Sequence, residues 1–303
     1  MNSSSSNKSN FDYAVILVTY NSRDEVLTCL QSLPDADPGA RFQIIIVDNH
    51  SADGTVPAIR QWAETSPDNL SIDLIENDRN WGFTHAVNQG LARADAQWIL
   101  FLNPDTQLPE NALRRLREVL QQRPDIGVIA PQLRNPDGSV QPSCRRFVRH
   151  RDVWFHFTGL AMLFPRSRRF NGWKMGDFDH RSPREVDQPQ GAFLLARREV
   201  VQSVGEWDER FPMFFSDVDW CRRVKQAGYR IWFEPSVSVV HHKGRSVFAN
   251  RPQMILTSHR SFVRYFWKYY PQPRYFLLNV ATSLLLWKTG WLRYAFHRLF
   301  RRR

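Results

Sequence analysis

Several short stretches of this chain carry side chains able to hold charge or move protons. The apolar run Trp98-Ile99-Leu100-Phe101-Leu102 leads into Asn103-Pro104-Asp105-Thr106. The run has the length and character of a buried parallel strand. Pro104 has no N–H for a ladder and ends it. Asp105 is thereby set at the carboxyl edge of a sheet, where open α/β folds bind ligands. A hard cation bridging phosphate oxygens needs a carboxylate of this kind. Asp48 closes another apolar run and can accept from a ribose hydroxyl or a base N–H. Thr19, Tyr20 and Asn21 follow the first apolar run and can hold a base and ribose. They also fit a plain strand-to-helix turn capped by Asn21 or Ser22. Asn80-Trp81-Gly82-Phe83 opens a helical pattern: Gly82 permits a tight turn, and the helix N-terminus favours a diphosphate. Phe83, Val87 and Leu91 share one helical face and read as core.

The second half of the chain adds acids and bases. Ser216-Asp217-Val218-Asp219 opens a helical stretch, with Ser216 as a good N-cap and both acids complementing the dipole. Residues two apart on a helix point in different directions, so Asp217 and Asp219 should have different tasks. Val239-Val240-His241-His242-Lys243-Gly244-Arg245 ends a strand. A histidine there could complete a cation site with Asp105, and Lys243 and Arg245 could contact a diphosphate.

The elements that must position these groups alternate. Strands are expected at residues 13–19, 42–47, 71–76 and 97–102, with helices at 24–33, 56–65 and 84–93 between them. That alternation predicts parallel βαβ units. A helix over 109–121, strands at 126–131 and 189–197, helices at 198–204 and 216–227, and strands at 230–233 and 236–241 complete the pattern. Residues 142–184 read as irregular, basic and aromatic. Residues 1–10 form a Ser/Asn tail expected to be disordered, without the apolar core of a secretory signal.

The order of residues 18–22, 47–55, 80–90 and 102–106 resembles the inverting family 2 glycosyltransferases of GT-A fold. The resemblance spans about residues 11–246 and is greatest to the bacterial rhamnosyltransferase-type branch, in which Asn-Pro-Asp often replaces Asp-x-Asp. It implies a Rossmann-like, mostly parallel sheet flanked by helices, with a donor half at about 11–110 and an acceptor half at about 111–250. It also implies a nucleotide-sugar donor held by Thr19, Tyr20, Asn21, Asp48, Asn80, Gly82, Phe83, Asn103, Asp105, Lys243 and Arg245. Asp105 and His241 would hold a Mg²⁺ or Mn²⁺ ion. Gln190-Gly191-Ala192 resembles the family's Gly-Ala strand under the acceptor, where small residues let a sugar approach the backbone. Asp217 takes the register of the general base, and Asp219 falls on a second acidic position that supports the acceptor or the site geometry. The activity so implied is transfer of L-rhamnose from dTDP-L-rhamnose to a lipid-linked saccharide. A UDP- or GDP-sugar donor, or a silent carbohydrate- or lipid-binding assembly protein, is the alternative.

Composition bears on location. The 303 residues are 42% hydrophobic and 23% charged, with a formal charge of +11, so a sizeable core and anionic partners are expected. Cys29, Cys144 and Cys221 show no disulfide framework or zinc spacing, which favours a reducing compartment. Residues 251–303 read as amphipathic helix. The apolar stretch 275–287 is too short to span a bilayer. It is followed by six Lys/Arg and no acid from Lys288 to Arg303. This end is expected to lie on an anionic membrane surface, placing the protein peripherally on the inner face of the cell membrane. No nucleic-acid motif is present, and nothing specifies an oligomer.

Overall fold

The computed structural model describes residues 10–242 and 251–300. In chain order the elements are β1 (Phe11–Thr19), α1 (Arg23–Ala36), β2 (Phe42–Asp48), α2 (Thr55–Ala63), β3 (Leu70–Glu76), α3 (Phe83–Leu91), β4 (Ala96–Leu102) and β5 (Thr106–Gln107). Next come α4 (Ala112–Gln122), β6 (Ile126–Arg134), β7 (Cys144–Arg145), α5 (His150–Phe157), α6 (Leu160–Leu163), β8 (Arg184–Glu185), β9 (Gln188–Pro189) and β10 (Phe193–Arg197). They are followed by α7 (Arg198–Val204), α8 (Ser216–Gln226), β11 (Arg230–His241), α9 (Arg251–Tyr269) and α10 (Phe276–Phe300).

The main sheet runs β3-β2-β1-β4-β10-β6-β11-β5, with β8 on β11. The strands from β3 to β4 are parallel, and so are β6 and β11; β10 runs against both of its neighbours. The βαβ reading therefore holds for the first four strands. The reversal at β10 has no signature in hydropathy, because both of its faces are buried whichever way it points.

Side chains alternate across the sheet. Val15, Leu17, Ile44, Ile46, Leu100 and Leu102 face α1 and α4, burying Leu30, Leu33, Leu113 and Leu116. Ala14, Ile16, Ile45, Ile99 and Phe101 face the opposite layer, where Val87, Val200, Trp220 and Val224 pack. Helix α3 presses close: a Cβ added at Gly90 would lie 2.7 Å from Ile16 Cγ2.

The chain leaves β1 to one side for β2 and β3 and to the other for β4. The ends of β1 and β4 therefore flank a topological switch point. The two strand-like runs near residues 230 and 240 are one strand, β11, whose pairing with β6 shifts between Glu234 and Ser238. Pro235 lies in that irregularity, as expected of a proline inside a sheet.

The segment after β7 is less irregular than its composition suggests, since it contains α5 and α6. Helices α9 and α10 form a hairpin joined through Pro271 and Pro273. Phe262, Tyr265, Phe266 and Leu286 of this hairpin pack with Val148, Val153, Phe211 and Phe215. His150 bonds Asn279 at 2.7 Å. Among the described residues no helix is long and apolar enough to cross a membrane.

Candidate active site

The turn after β4 is pinned from three sides. Asn103 N–H donates to Ala192 O at 2.9 Å, Thr106 Oγ1 donates back to Asn103 O at 2.7 Å, and His242 N–H donates to Asp105 O at 2.9 Å. Strand β11 pairs with β5 so that His241 is opposite Thr106. This register lays His241 beside Asp105, with Nε2 and Oδ1 3.3 Å apart.

Gln141 decides which nitrogen of His241 carries the proton. Its Nε2 donates to His241 O at 2.7 Å and to Arg134 O at 3.2 Å. Its Oε1 must then accept, and it lies 3.0 Å from His241 Nδ1. Nδ1 then carries an N–H, and a ring with its one proton there presents a lone pair at Nε2 to the Asp105 carboxylate. Two lone pairs repel across such a gap unless a proton or a cation lies between them. The pair would suit a hard divalent ion, which would offset charge on a bound phosphate. Among the described residues no three His, Cys, Asp or Glu converge on a common cation position. Lys243 and Arg245, expected at the diphosphate, lie outside the described residues.

Asp217 stands in the first turn of α8. Its Oδ2 accepts from Gly191 N–H at 3.0 Å and Gln188 Nε2 at 2.9 Å, and its Oδ1 accepts from Val218 N–H at 2.9 Å. Burial raises its pKa above the ordinary carboxylate value, although these donors pull the other way. Ser216 is not the cap: its hydroxyl donates to Met213 O at 2.9 Å. Phe215 takes the capping position with φ 69°, a left-handed conformation that costs a bulky residue about 1 kcal/mol or more.

Gly191 and Ala192 do not offer an open floor for a sugar. The space where Gly191 lacks a side chain is filled by Asp217; a Cβ there would lie 2.9 Å from Asp217 Cβ. Ala192 is buried in the core. One dipeptide thus holds Asp217 through the Gly191 amide and the Asn103-Pro104-Asp105 turn through the Ala192 carbonyl. Asp219 is likewise not placed for direct contact with an acceptor. It is fully buried, bound by Arg223 at 3.0 Å, by Tyr269 Oη at 2.7 Å and by Lys268. Lys268 and Tyr269 belong to α9, so Asp219 anchors the C-terminal hairpin to α8.

The residues expected to hold a donor divide into two sets. Asp48 is buried, and its carboxylate accepts from Thr19 Oγ1 at 2.8 Å, Ser51 Oγ at 2.6 Å and Ser51 N–H at 2.8 Å. Thr19 is also buried. These two brace the edge. Tyr20 is exposed on it, and Asn21, at φ 50°, accepts from Ala52 N–H at 2.8 Å. Asn80 Oδ1 accepts from Gly82 N–H at 2.9 Å, and Gly82 adopts φ 91°. Phe83 packs edge-on against Trp207 at 6.1 Å, on the core side. The start of α3 is not wholly open to an anion, because Thr84 N–H donates to Pro212 O at 3.2 Å.

Sequence reasoning missed Gln141, Gln188 and Arg145. The two glutamines act at long range and belong to no motif. Arg145 lies near enough for the Asp217 charge to act on it, and its Nη1 donates to Pro142 O and Cys144 O, each at 2.7 Å. The three cysteines are buried free thiols. Burial pushes Cys29 and Cys144 up to about 12, so they are inert at neutral pH. A separate groove lined by Thr28, Gln31, Asp35, Gln107 and Glu110 contains none of these site residues.

A mostly parallel sheet with its strand ends at a switch point, and a carboxylate–histidine pair beside them, fit a glycosyltransferase of GT-A architecture. Residues 14–182 match Glycosyl transferase family 2, and the chain belongs to that family and is a glycosyltransferase. It is 30% identical over 258 residues to N-acetylglucosaminyl-diphospho-decaprenol L-rhamnosyltransferase of Mycobacterium tuberculosis, covering 82% of this chain and 81% of that protein. It is 27% identical to the O-antigen biosynthesis protein RfbC of Myxococcus xanthus, covering 76% of this chain and 17% of that one. The fold is shared with the mannosyltransferase PcManGT from Pyrobaculum calidifontis, solved with GDP-Man and Mn²⁺. The TM-score is 0.58 at 20% identity, covering 91% of this chain and 70% of that chain.

Proposed function

We propose that the protein transfers L-rhamnose with inversion from dTDP-L-rhamnose to a saccharide carried on a lipid diphosphate. The observation that carries the reading is the likeness to the mycobacterial rhamnosyltransferase along 82% of this chain, a span long enough to take in both Asp105 and Asp217 wherever it begins. Tyr20, Asn21, Asn80 and Gly82 line the donor edge, braced by Thr19 and Asp48, with Asn103 at the diphosphate. Asp105 and His241 hold Mg²⁺ or Mn²⁺. When bound, that ion neutralises charge on the departing nucleoside diphosphate.

Asp217 is the general base. An acceptor hydroxyl is too weak an acid to attack unaided at neutral pH, and Asp217 takes its proton as the oxygen bonds to the anomeric carbon. The bond from that carbon to the diphosphate oxygen breaks, and its electron pair leaves with dTDP. The raised pKa suits the task, since a more basic carboxylate accepts a proton more readily. Gly191 and Gln188 fix the carboxylate so that little reorganisation is needed.

The hairpin suits a lipid-borne acceptor. Leu277, Leu284, Leu292 and Leu299 of α10 are all more than 60% exposed, with Lys288, Arg293 and Arg298 among them. An apolar face with basic flanks binds an anionic interface. Peripheral attachment at the inner face of the membrane follows from this reading.

The test is transfer from a panel of nucleotide sugars to N-acetylglucosamine on a short lipid diphosphate, read by mass spectrometry. The expected product carries one deoxyhexose, with dTDP released. Turnover with a UDP- or GDP-sugar and none with dTDP-L-rhamnose would replace the donor assignment.

A further inference from the structure

A group of cations runs from β7 to the C-terminal hairpin, apart from the donor residues and the cation pair, with one end toward Asp217. Lys174 is half-buried beside Trp173, and its ammonium is 5.8 Å from that ring. Arg146 N–H donates to Trp173 O at 2.9 Å, which sets Arg145 beside this segment, and the charges of Arg145 and Arg293 both act on Lys174. His156 is half-buried, 5.8 Å from the Trp173 ring, and feels Lys174, Arg293 and His259. His259, on α9, is buried under Phe157 at 5.5 Å. Its Nδ1 bonds Ile255 O at 2.8 Å, and its Nε2 has no hydrogen-bond partner.

Arg145 and Lys174 have no acid paired with them, although the Asp217 charge reaches Arg145. Among the described residues neither Arg145 nor Lys174 has a carboxylate within ion-pair distance, and the chain outside them contains no Asp or Glu. Partly desolvated like charges repel, and a protein gains nothing from assembling them without an anion. Burial, with the neighbouring cations adding to it, lowers Lys174 and takes His156 down to about 4. An anion at the centre would relieve both effects.

The direction of the group indicates which anion. Arg145, at one end, is close enough to feel Asp217. Arg293, at the other end, stands on α10 between Leu292 and the exposed Phe296. Arg145 is opposite Gln188 in the β7–β9 pairing, and Gln188 Nε2 donates to Asp217, so a diphosphate one sugar ring from a hydroxyl at Asp217 would lie toward Arg145, with the lipid beyond. We infer that Arg145, Lys174 and Arg293 form the binding site for the diphosphate diester of the acceptor, with the lipid chain leaving along the exposed apolar face of α10. This rests on the proposed function for the acceptor, and it assigns the anion subsite that the donor residues do not supply. Arg offers a two-pronged donor to phosphate and Lys a point charge, a combination suited to two linked phosphoryl groups.

The experiment uses the full chain and a soluble isoprenoid diphosphate, geranyl diphosphate, titrated calorimetrically in the presence of Mg²⁺. Lys174→Met and Arg293→Met should each weaken binding tenfold or more, the scale of a lost charged hydrogen bond. Lys174→Arg should stay within about threefold of the wild type, which separates lost charge from lost fold. Asp105→Ala should leave this binding unchanged. Equal binding by the Met variants, or no binding by the wild type, overturns the site. Loss of binding in Asp105→Ala overturns it too, by putting the probe in the donor site. If Lys174→Met releases the protein from phosphatidylglycerol vesicles yet binds geranyl diphosphate normally, the cations are a headgroup site and the inference fails. The titration needs no turnover, so absence of transfer would sink the proposed function and leave this result standing.

Discussion

The amide of Gly191 donates to Oδ2 of Asp217 over 3.0 Å, and the missing side chain of Gly191 is what lets the carboxylate come so close. Any Cβ at residue 191 would meet Asp217 Cβ at 2.9 Å, tighter than such contacts occur. Gly191→Ala is therefore expected to push Asp217 off its donors. The turnover number should fall by about 10²-fold, the usual scale for misplacing a catalytic group by an ångström, while donor KM changes little. Stability should drop by about 1–3 kcal/mol from overpacking. Steady-state kinetics with a melting curve checks both, and an unchanged turnover number would mean that the carboxylate does not need this contact.

Asp217→Asn separates catalysis from folding. The amide cannot take the acceptor's proton, so transfer should fall by at least about 10²-fold with donor binding retained. The stability sign is the reverse of an ordinary salt-bridged acid. Folding raises the Asp217 pKa, so as pH rises through the window above the ordinary value of about 3.9 the ionised carboxyl disfavours the fold. At pH 7 the Asn variant sheds a buried charge but loses one accepted hydrogen bond, so it should melt close to the wild type. For the wild type, kcat should fall as pH is lowered through the raised pKa, because only the ionised form accepts a proton. A variant that unfolds at lower temperature would show that the carboxylate is a structural anchor.

Gln141→Leu tests the orientation of His241. Without Gln141 Oε1 the proton has no reason to stay on Nδ1, and the ring is free to turn its N–H toward Asp105. Affinity for Mn²⁺ in the presence of dTDP should weaken 10- to 100-fold, as for loss of an outer-shell partner. His241→Ala and Asp105→Ala should weaken it further. A metal titration unaffected by all three changes would place the ion elsewhere.

Much of this arrangement was legible in the residues, and the rest was not for physical reasons. The four strand-end motifs could be read because a buried run broken by proline or glycine has a local signature, as at Leu102-Asn103-Pro104. Side-chain identity at such an edge does not reveal which groups face outward. Thr19 and Asp48 bond each other and Ser51, and Phe83 packs on Trp207. Asp219 reads as a second active-site acid in the sequence because its partners, Lys268 and Tyr269, lie some fifty residues further on. Contacts of that range leave no periodicity.

The C-terminal hairpin carries a structural load that its composition hides. Lys268 bridges Asp208 at 2.6 Å and the fully buried Asp219. Lys268→Met leaves Arg223 as the remaining cation on Asp219 and should cost about 3–5 kcal/mol, the range for breaking a buried pair. Deleting residues 251–303 would in addition uncover Phe211 and Phe215, and is expected to unfold the region packed around them. Surface changes serve better for testing membrane attachment. Leu284→Glu with Leu292→Glu should release the protein from anionic vesicles in a flotation assay without lowering its melting temperature. Retention on the vesicles would remove α10 from the membrane contact.

A single displacement at the anomeric carbon, driven by Asp217, is tested most directly by the anomeric configuration of the transferred sugar. That configuration is read from the one-bond carbon–proton coupling at the anomeric carbon of the isolated product. One displacement assisted by one base predicts a configuration opposite to that of the sugar in the donor. A product with the donor's configuration would require a second displacement or a different reacting face, and would contradict the role of Asp217 as the general base.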